Sequence, residues 1–116
     1  MVVKRSTNAK KKYMAIFTDE KGKKVKTTHF GAAGMSDYTK HKDKKRKQRY
    51  LTRHRKRENW SNYMSAGALS RYLLWGETSF RESIKKYKNK FMVWQLHNRT
   101  EIIIAGVSFI LGAIIF

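Results

Sequence analysis

The N-terminal third of the chain contains two short runs rich in apolar, aromatic and β-branched residues. Residues 12–18 form the first run, and residues 24–30 form the second, in which side chains alternate with a period of two. Gly22 lies between them, where it can adopt the positive φ that a tight turn requires. The pattern predicts a β-hairpin, preceded by a basic arm over residues 1–10.

A long basic helix is predicted after Gly34. The stretch that follows contains neither Pro nor Gly up to Trp60 and is rich in Lys, Arg and Gln, which are good helix formers. Asp37 or Thr39 is the expected N-cap. The helix has one small apolar face, at Tyr50, Leu51 and His54, which we expect to pack against the rest of the domain. His54 is therefore interpreted as a packed residue and not as a ligand.

Two shorter helices are predicted next. Leu69, Tyr72 and Leu73 share one helical face, and Gly76 is expected to end that helix. The S-x-x-E sequence from Ser79 to Glu82 is a capping box that begins the last helix of the domain. Apolar residues follow it at steps of four, three and four, which is typical of an amphipathic helix. They are Phe80, Ile84, Tyr87 and Phe91.

The C-terminal end is apolar. A mixed connector over residues 92–101 precedes residues 102–116, which carry no charge. As a helix this segment spans roughly 22 Å, which is shorter than the ~30 Å hydrocarbon core of a bilayer but sufficient if the bilayer thins. We expect a transmembrane anchor, and a segment buried in a protein partner is the alternative. The residues expected to insert are Ile102, Ile103, Ile104, Val107, Phe109, Ile110, Leu111, Ile114, Ile115 and Phe116.

Together these elements predict an α+β fold for one small basic domain, residues 11–91. It consists of an N-terminal hairpin followed by three helices, with an apolar, transmembrane helix at the C-terminus of the chain. At 116 residues with no Cys, the chain excludes disulfides and thiolate metal sites.

The charge of the chain is concentrated in the predicted basic helix. The formal net charge is +19, and the stretch from Lys40 to Arg57 holds eleven Lys or Arg residues against one acid, Asp43. Because like charges at this density repel one another, we expect an anionic partner. The residues expected to bind it are Lys42, Lys45, Arg46, Arg49, Arg53 and Arg57.

Three classes of partner fit such a basic surface. DNA would be bound through its phosphates, without base readout, because few Asn or Gln residues accompany the Lys. Anionic lipid headgroups would suit the nearby apolar segment. Acidic surfaces of other proteins in a large assembly are the third class.

Catalysis is not predicted. Asp37, His41 and Asp43 could be drawn as an acid–base or Mg²⁺ cluster, as in a small nuclease. On a helix, however, His41 and Asp43 lie two residues apart and face different ways. We therefore expect no enzyme, no metal site and no cofactor. The three Trp residues could stack on bases, but they are first candidates for the core of so small a domain.

A series of short motifs between Tyr13 and Phe91 resembles a family of small basic proteins encoded by large icosahedral DNA viruses, such as the phycodnaviruses and their giant relatives. The motifs are His29-Phe-Gly, Ser36-Asp-Tyr-Thr, His41-Lys-Asp, Arg53-His, Glu58-Asn-Trp, Ala66-Gly, Leu69-Ser-Arg-Tyr-Leu-Leu-Trp75 and Thr78-Ser-Phe with Ser83-Ile. The biochemical role of that family is not established, and the apolar C-terminal segment lies outside the resemblance.

The resemblance implies a place in a virus particle. Such viruses carry a major capsid protein over an internal membrane, with minor capsid proteins between the two. We therefore expect a minor capsid protein on the inner side of the capsid near the internal membrane. Its expected partners are the major capsid protein, other minor capsid proteins and that membrane. The alternative is a non-specific DNA-binding or packaging protein that uses the same basic helix.

Overall fold

The computed structural model describes residues 1–97 and shows an α+β fold. Three antiparallel strands form one sheet in the order β1-β2-β3. The strands are β1 (Val2–Arg5), β2 (Lys11–Thr18) and β3 (Lys24–Ala32). The helices are α1 (Tyr38–His41), α2 (Lys44–Arg55), α3 (Ala66–Leu69), which continues as a π-helical segment (Ser70–Leu74), and α4 (Phe80–His97).

The prediction that the sheet consists of a hairpin alone was wrong, because the sheet has a third strand. β2 and β3 form the predicted hairpin, and Gly22 adopts a φ of +82° in its turn. β1 adds to the free edge of β2, with Val2 opposite Ile16 and Val3 opposite Ala15. The strand comes from the segment predicted to be a basic arm. Its four residues are too few to show a strand pattern, and it is stabilised by hydrogen bonds to β2.

The prediction of one long basic helix was also wrong, because the segment is divided in two. α1 ends at Lys42, whose φ of +57° lies in the left-handed region. Asp43 then starts a new helix as its N-cap, with its carboxylate accepting hydrogen bonds from the backbone N–H groups of Lys45 and Arg46. The longest helix of the described residues is α4, which was expected to be one of the shorter ones.

The core lies between the sheet and the C-terminal half of the domain. Ala15 and Phe17 of β2 and Phe30 of β3 meet the buried faces of α3, the π-helical segment and α4. The ring centroids of Phe17 and Phe91 are 5.4 Å apart. The predicted stripe of α4 therefore faces the core, since Tyr87 and Phe91 are buried, while Phe80 and Ile84 pack at its margin. The helix begins as expected, because Ser79 Oγ accepts a hydrogen bond from Glu82 N.

The π-helical segment ends at a glycine for a steric reason. The backbone N–H of Trp75 donates to the carbonyl of Ser70, five residues earlier, at 3.1 Å. A Cβ atom on Gly76 would lie 2.4 Å from the carbonyl oxygen of Tyr72. Gly76 therefore ends this helical stretch as predicted, and no larger residue fits there without movement of the backbone.

The last element of the predicted fold, a transmembrane helix over residues 102–116, falls outside the part of the chain that the structure describes. Within residues 1–97 no helix is long and apolar enough to cross a membrane. α4 extends to His97, which lies inside the predicted connector of residues 92–101. The apolar segment 102–116 and its predicted inserting residues lie outside the described residues.

Candidate functional site

A ring stack between Tyr50 and Trp75 holds α2 against the rest of the domain. The ring of Tyr50 lies parallel to that of Trp75, with centroids 4.2 Å apart, and its other neighbour is the ring of His54 at 4.0 Å. Tyr50 and Leu51 are buried. Burial raises the pKa of Tyr50, with a further contribution from the negative charge of Glu58, so the hydroxyl stays neutral. The apolar face predicted for the basic helix is confirmed, and it leaves the opposite face in solvent.

The acids of this region act as helix caps. Asp43 caps α2, and the hydrogen bond from Arg46 N, with one from Lys45 N, lowers the pKa of its carboxyl group. His41 Nδ1 accepts a hydrogen bond from the backbone N–H of Asp43 at 2.9 Å. Asp37 caps α1 by accepting from Thr39 N and from its hydroxyl. Within the described residues, no group of three or more His, Cys, Asp or Glu side chains could hold a metal ion.

The six residues predicted to bind an anionic partner are all exposed, but they do not form one site. Arg46, Arg49 and Arg53 line a cavity of about 250 Å³ together with Met35, Ser36 and Trp75. These three arginines lie at helical spacings of three and four, which places them on one face of α2. The other three cations lie outside this cavity. They are Lys42, Lys45 and Arg57.

The arginine face makes no ion pair with an acid of residues 1–97. The ion pairs found there join Lys12 to Asp37 and Lys86 to Glu77, and His54 forms a third with Glu58 only when its ring is protonated. A planar guanidinium presents five N–H donors that match a carboxylate in a bidentate arrangement. The face can therefore accept carboxylates or phosphates from a partner without first breaking an internal ion pair.

A second cavity of about 350 Å³ adjoins the first between the end of β3, α2 and α3. The two share Met35, Ser36, Arg53 and Trp75, so they form one continuous groove, called here the arginine groove. Its inner wall contains apolar and aromatic side chains, and its rim carries charges of both signs. Met35 is 64% exposed at its edge. The wall residues are Phe30, Tyr50, Leu74 and Trp75, and the charged residues include Lys11, Lys12, Asp37, Arg53 and Glu58.

The sequence-based predictions did not include the apolar side of the groove or the half-buried position of one cation, Lys47. Met35 and Trp75 come from separate segments, so no local pattern joins them to α2. Lys47 differs from its basic neighbours, because its Nζ donates to the carbonyl of Gly76 at 2.6 Å and lies 4.9 Å from the ring centroid of Tyr38. Its position three residues before Tyr50 places it towards the apolar face, which was a signal available in the sequence.

The Trp residues are engaged within the domain. Trp75 and Trp94 pack against the core cluster. The indole N–H of Trp60 donates to Glu58 at 2.9 Å, and the guanidinium groups of Arg55 and Arg71 lie over its ring. The expectation that these rings serve packing more than base stacking agrees with these contacts.

Comparison with known proteins identifies one similarity. A family of unknown function (DUF5754) matches residues 1–54, which comprise the sheet, α1 and all of α2 except its last residue. The match therefore includes the three arginines of the groove but neither Trp75 nor α4. No curated protein matches the chain, and no solved structure does.

Proposed function

We propose that this protein is a structural component of a virus particle, without enzymatic activity. In this proposal it is a minor capsid protein on the inner side of the major capsid shell. Arg46, Arg49 and Arg53 bind acidic segments of neighbouring capsid proteins through the arginine groove. The viral context comes from the resemblance described above, and the binding mode comes from the geometry of the groove.

The observation that carries the proposal is the composition of the groove. Arg side chains stand beside an exposed Met35 and the edge of the Tyr50–Trp75 pair. Arg, Met and aromatic residues are the types enriched in protein interfaces, whereas Lys is depleted there. An acidic segment with an apolar side chain would place carboxylates on the arginines and the apolar group on Met35. A phosphate backbone offers only the first of these contacts.

Non-specific DNA binding is the competing function. One observation favours it, namely that Lys42, Lys45 and Arg57 are exposed outside the groove. Non-specific DNA binding depends on phosphate contacts with cations spread over a surface, and these three would add to such contacts. The Trp side chains weigh against binding of single strands, because each described ring already contacts other side chains. The acidic protein partner is therefore the better fit.

The apolar segment 102–116 supplies a second attachment in this proposal. Fifteen uncharged residues are unfavourable in water, so the segment joins the protein to a neighbouring capsid protein or to the internal membrane. Two attachments of different chemistry would hold the domain between the shell and that membrane. Loss of membrane flotation on deletion of residues 102–116 would support the membrane as the site of attachment.

Amine-reactive crosslinking of purified particles, followed by mass spectrometry, tests the proposal. We expect the chain to be present in the particles, with links from Lys42, Lys44, Lys45 and Lys56 to shell proteins. Lys47 is an internal control, since its Nζ is bonded to Gly76 and should react less than its exposed neighbours. Absence of the chain from the particles, or links to core nucleoproteins alone, would contradict the proposal.

A further inference from the structure

A third, smaller cavity shares no lining residue with the arginine groove. It has a volume of about 90 Å³ and is lined by α2, the π-helical segment, the turn after it and α4. Four cations and one carboxylate contribute to its wall, which gives it an excess of positive charge. They are Lys47, Arg71, Lys86, Lys90 and Glu77.

Arg71 is the most enclosed of these cations. Its Nη1 donates to the carbonyl of Trp75 at 3.2 Å, and the rings of Trp60 and Tyr72 lie 5.3 and 5.2 Å from the guanidinium carbon. Its buried Nε has no acceptor among residues 1–97, and none of the ion pairs found there includes it. A guanidinium has five N–H donors, and the Nε–H of Arg71 is therefore a buried donor that a bound anion could satisfy.

The neighbouring charges increase this imbalance. Burial lowers the pKa of Lys47, and the positive charge of Arg71 lowers it further. The Nζ of Lys47 makes one hydrogen bond to the Gly76 carbonyl, which leaves two of its three donors. Glu77 is already bonded to Lys86 at 2.6 Å. Glu77 is the one carboxylate of the cavity wall, and its charge offsets part of the effect of Arg71 on Lys47. Four cations against this one acid leave an excess of positive charge, which is unfavourable unless an anion binds.

We propose that this cavity is a binding site for a phosphate dianion, either free phosphate or the phosphate group of a monoester. Arg71 would bind two oxygens in a bidentate arrangement, and Lys47 and Lys90 would complete the neutralisation. A dianion balances this excess of cations better than a single carboxylate does. The volume of about 90 Å³ suits a group of the size of one tetrahedral oxyanion. The site is separate from the arginine groove and does not depend on the function proposed above.

The side-chain Nε–H resonance of Arg71 provides a direct test in a ¹H–¹⁵N spectrum of the full chain in non-ionic detergent. Titration with sodium phosphate at constant ionic strength should shift this resonance and the backbone amide of Glu77, and both shifts should saturate together. Sodium acetate at equal ionic strength should leave them in place. A titration with glycerol 3-phosphate distinguishes a monoester ligand from free phosphate. If the cavity accepts an esterified oxygen, glycerol 3-phosphate should bind as tightly as free phosphate or more tightly.

Matched variants separate this site from general charge effects. Lys90→Gln removes an exposed wall cation and should weaken phosphate binding about fivefold, whereas Lys85→Gln, on the same helix but outside the cavity, should have no effect. Arg71→Lys should weaken it by more than about tenfold. If Arg71→Lys does not fold, the comparison of phosphate binding by Lys90→Gln and Lys85→Gln tests the proposal. Three results would overturn the proposal. The shifts could occur at many lysine-rich sites without saturating, or acetate could cause shifts equal to those with phosphate. Lys90→Gln and Lys85→Gln could also weaken phosphate binding equally.

Discussion

The ammonium group of Lys12 lies 2.7 Å from the carboxylate of Asp37, with only 10% and 2% of the two side chains exposed. The pair joins the central strand of the sheet to the N-cap of α1, and so fixes where the basic segment leaves the sheet. Burial by itself raises the pKa of Asp37. The hydrogen bonds from Lys12 and Thr39 and the charge of Lys12 outweigh burial, so the pKa lies below its usual value of 3.8.

This pair predicts a stability that depends on pH. Because the pKa of Asp37 is lower in the folded than in the unfolded state, its stabilisation is complete above the unfolded value and is lost as the pH falls through the folded value. Asp37→Asn keeps a residue that can cap the helix but removes the charge, and should lower the free energy of unfolding by about 3 kcal/mol at pH 7. The difference from the natural chain, measured by urea denaturation, should shrink towards pH 3.

Glu82→Gln is the control for this experiment, because it makes the same chemical change on the exposed surface of α4. It should alter the free energy of unfolding by no more than about 0.5 kcal/mol at either pH. A loss for Asp37→Asn that stays constant from pH 7 to pH 3 would contradict the account, because it would show that the charge of Asp37 and its ion pair with Lys12 are not the source of the stabilisation.

The Tyr50–Trp75 stack predicts which substitutions release α2 from the domain. Tyr50→Ala removes a buried ring and should destabilise the protein by about 3 kcal/mol. Tyr50→Phe keeps the ring over Trp75 and should cost less than about 1 kcal/mol. Thermal unfolding, followed with the near-ultraviolet circular dichroism of Trp, measures both. Equal losses for the two variants would mean that the hydroxyl group, and not ring packing, anchors the helix.

The close approach at Gly76 predicts a steric requirement. Gly76→Ala would bring a Cβ atom to 2.4 Å from the carbonyl oxygen of Tyr72, and the shift needed to relieve this contact should cost about 2–3 kcal/mol. Gly34→Ala is the comparison, since Gly34 has a φ of +81° but no atom within 4 Å of an added Cβ. It should cost only the backbone strain, about 1 kcal/mol. Chemical denaturation measures the free energy of unfolding of both variants. A loss of stability for Gly76→Ala that is no larger than the loss for Gly34→Ala would contradict the steric account.

The elements that local pattern could predict are those whose signals lie within a few residues. The hairpin has alternation and a turn glycine, and α4 has a capping box and a full amphipathic stripe. β1 could not be found this way, because its stability comes from pairing with Ala15 and Ile16, far along the chain. The division between α1 and α2 had a signal in Asp43, but that acid was considered as a candidate for chemistry and not as a second cap.

The site was predictable in part for the same reason. A dense run of Lys and Arg cannot be buried without partners, so the exposure of the six selected cations followed from sequence. Which of them share a groove depends on Met35 and Trp75, which tertiary packing brings to α2. Arg71 carried no signal at all, since it stands alone among apolar residues and gains its surroundings from Trp60 and Tyr72.

Matched triple variants of the full chain test the central claim most directly, which is that the arginine groove binds acidic protein segments. R46Q/R49Q/R53Q removes the groove cations, and K42Q/K45Q/R57Q removes the same charge outside it. Fluorescence anisotropy would compare an acidic peptide that also contains Leu with a short duplex DNA at physiological salt. We predict that the groove triple weakens peptide binding at least about tenfold more than the control triple, and that Met35→Ser weakens peptide but not DNA binding. The claim would be contradicted if the two triple variants lost peptide binding equally and the natural chain bound the DNA duplex more tightly than the peptide.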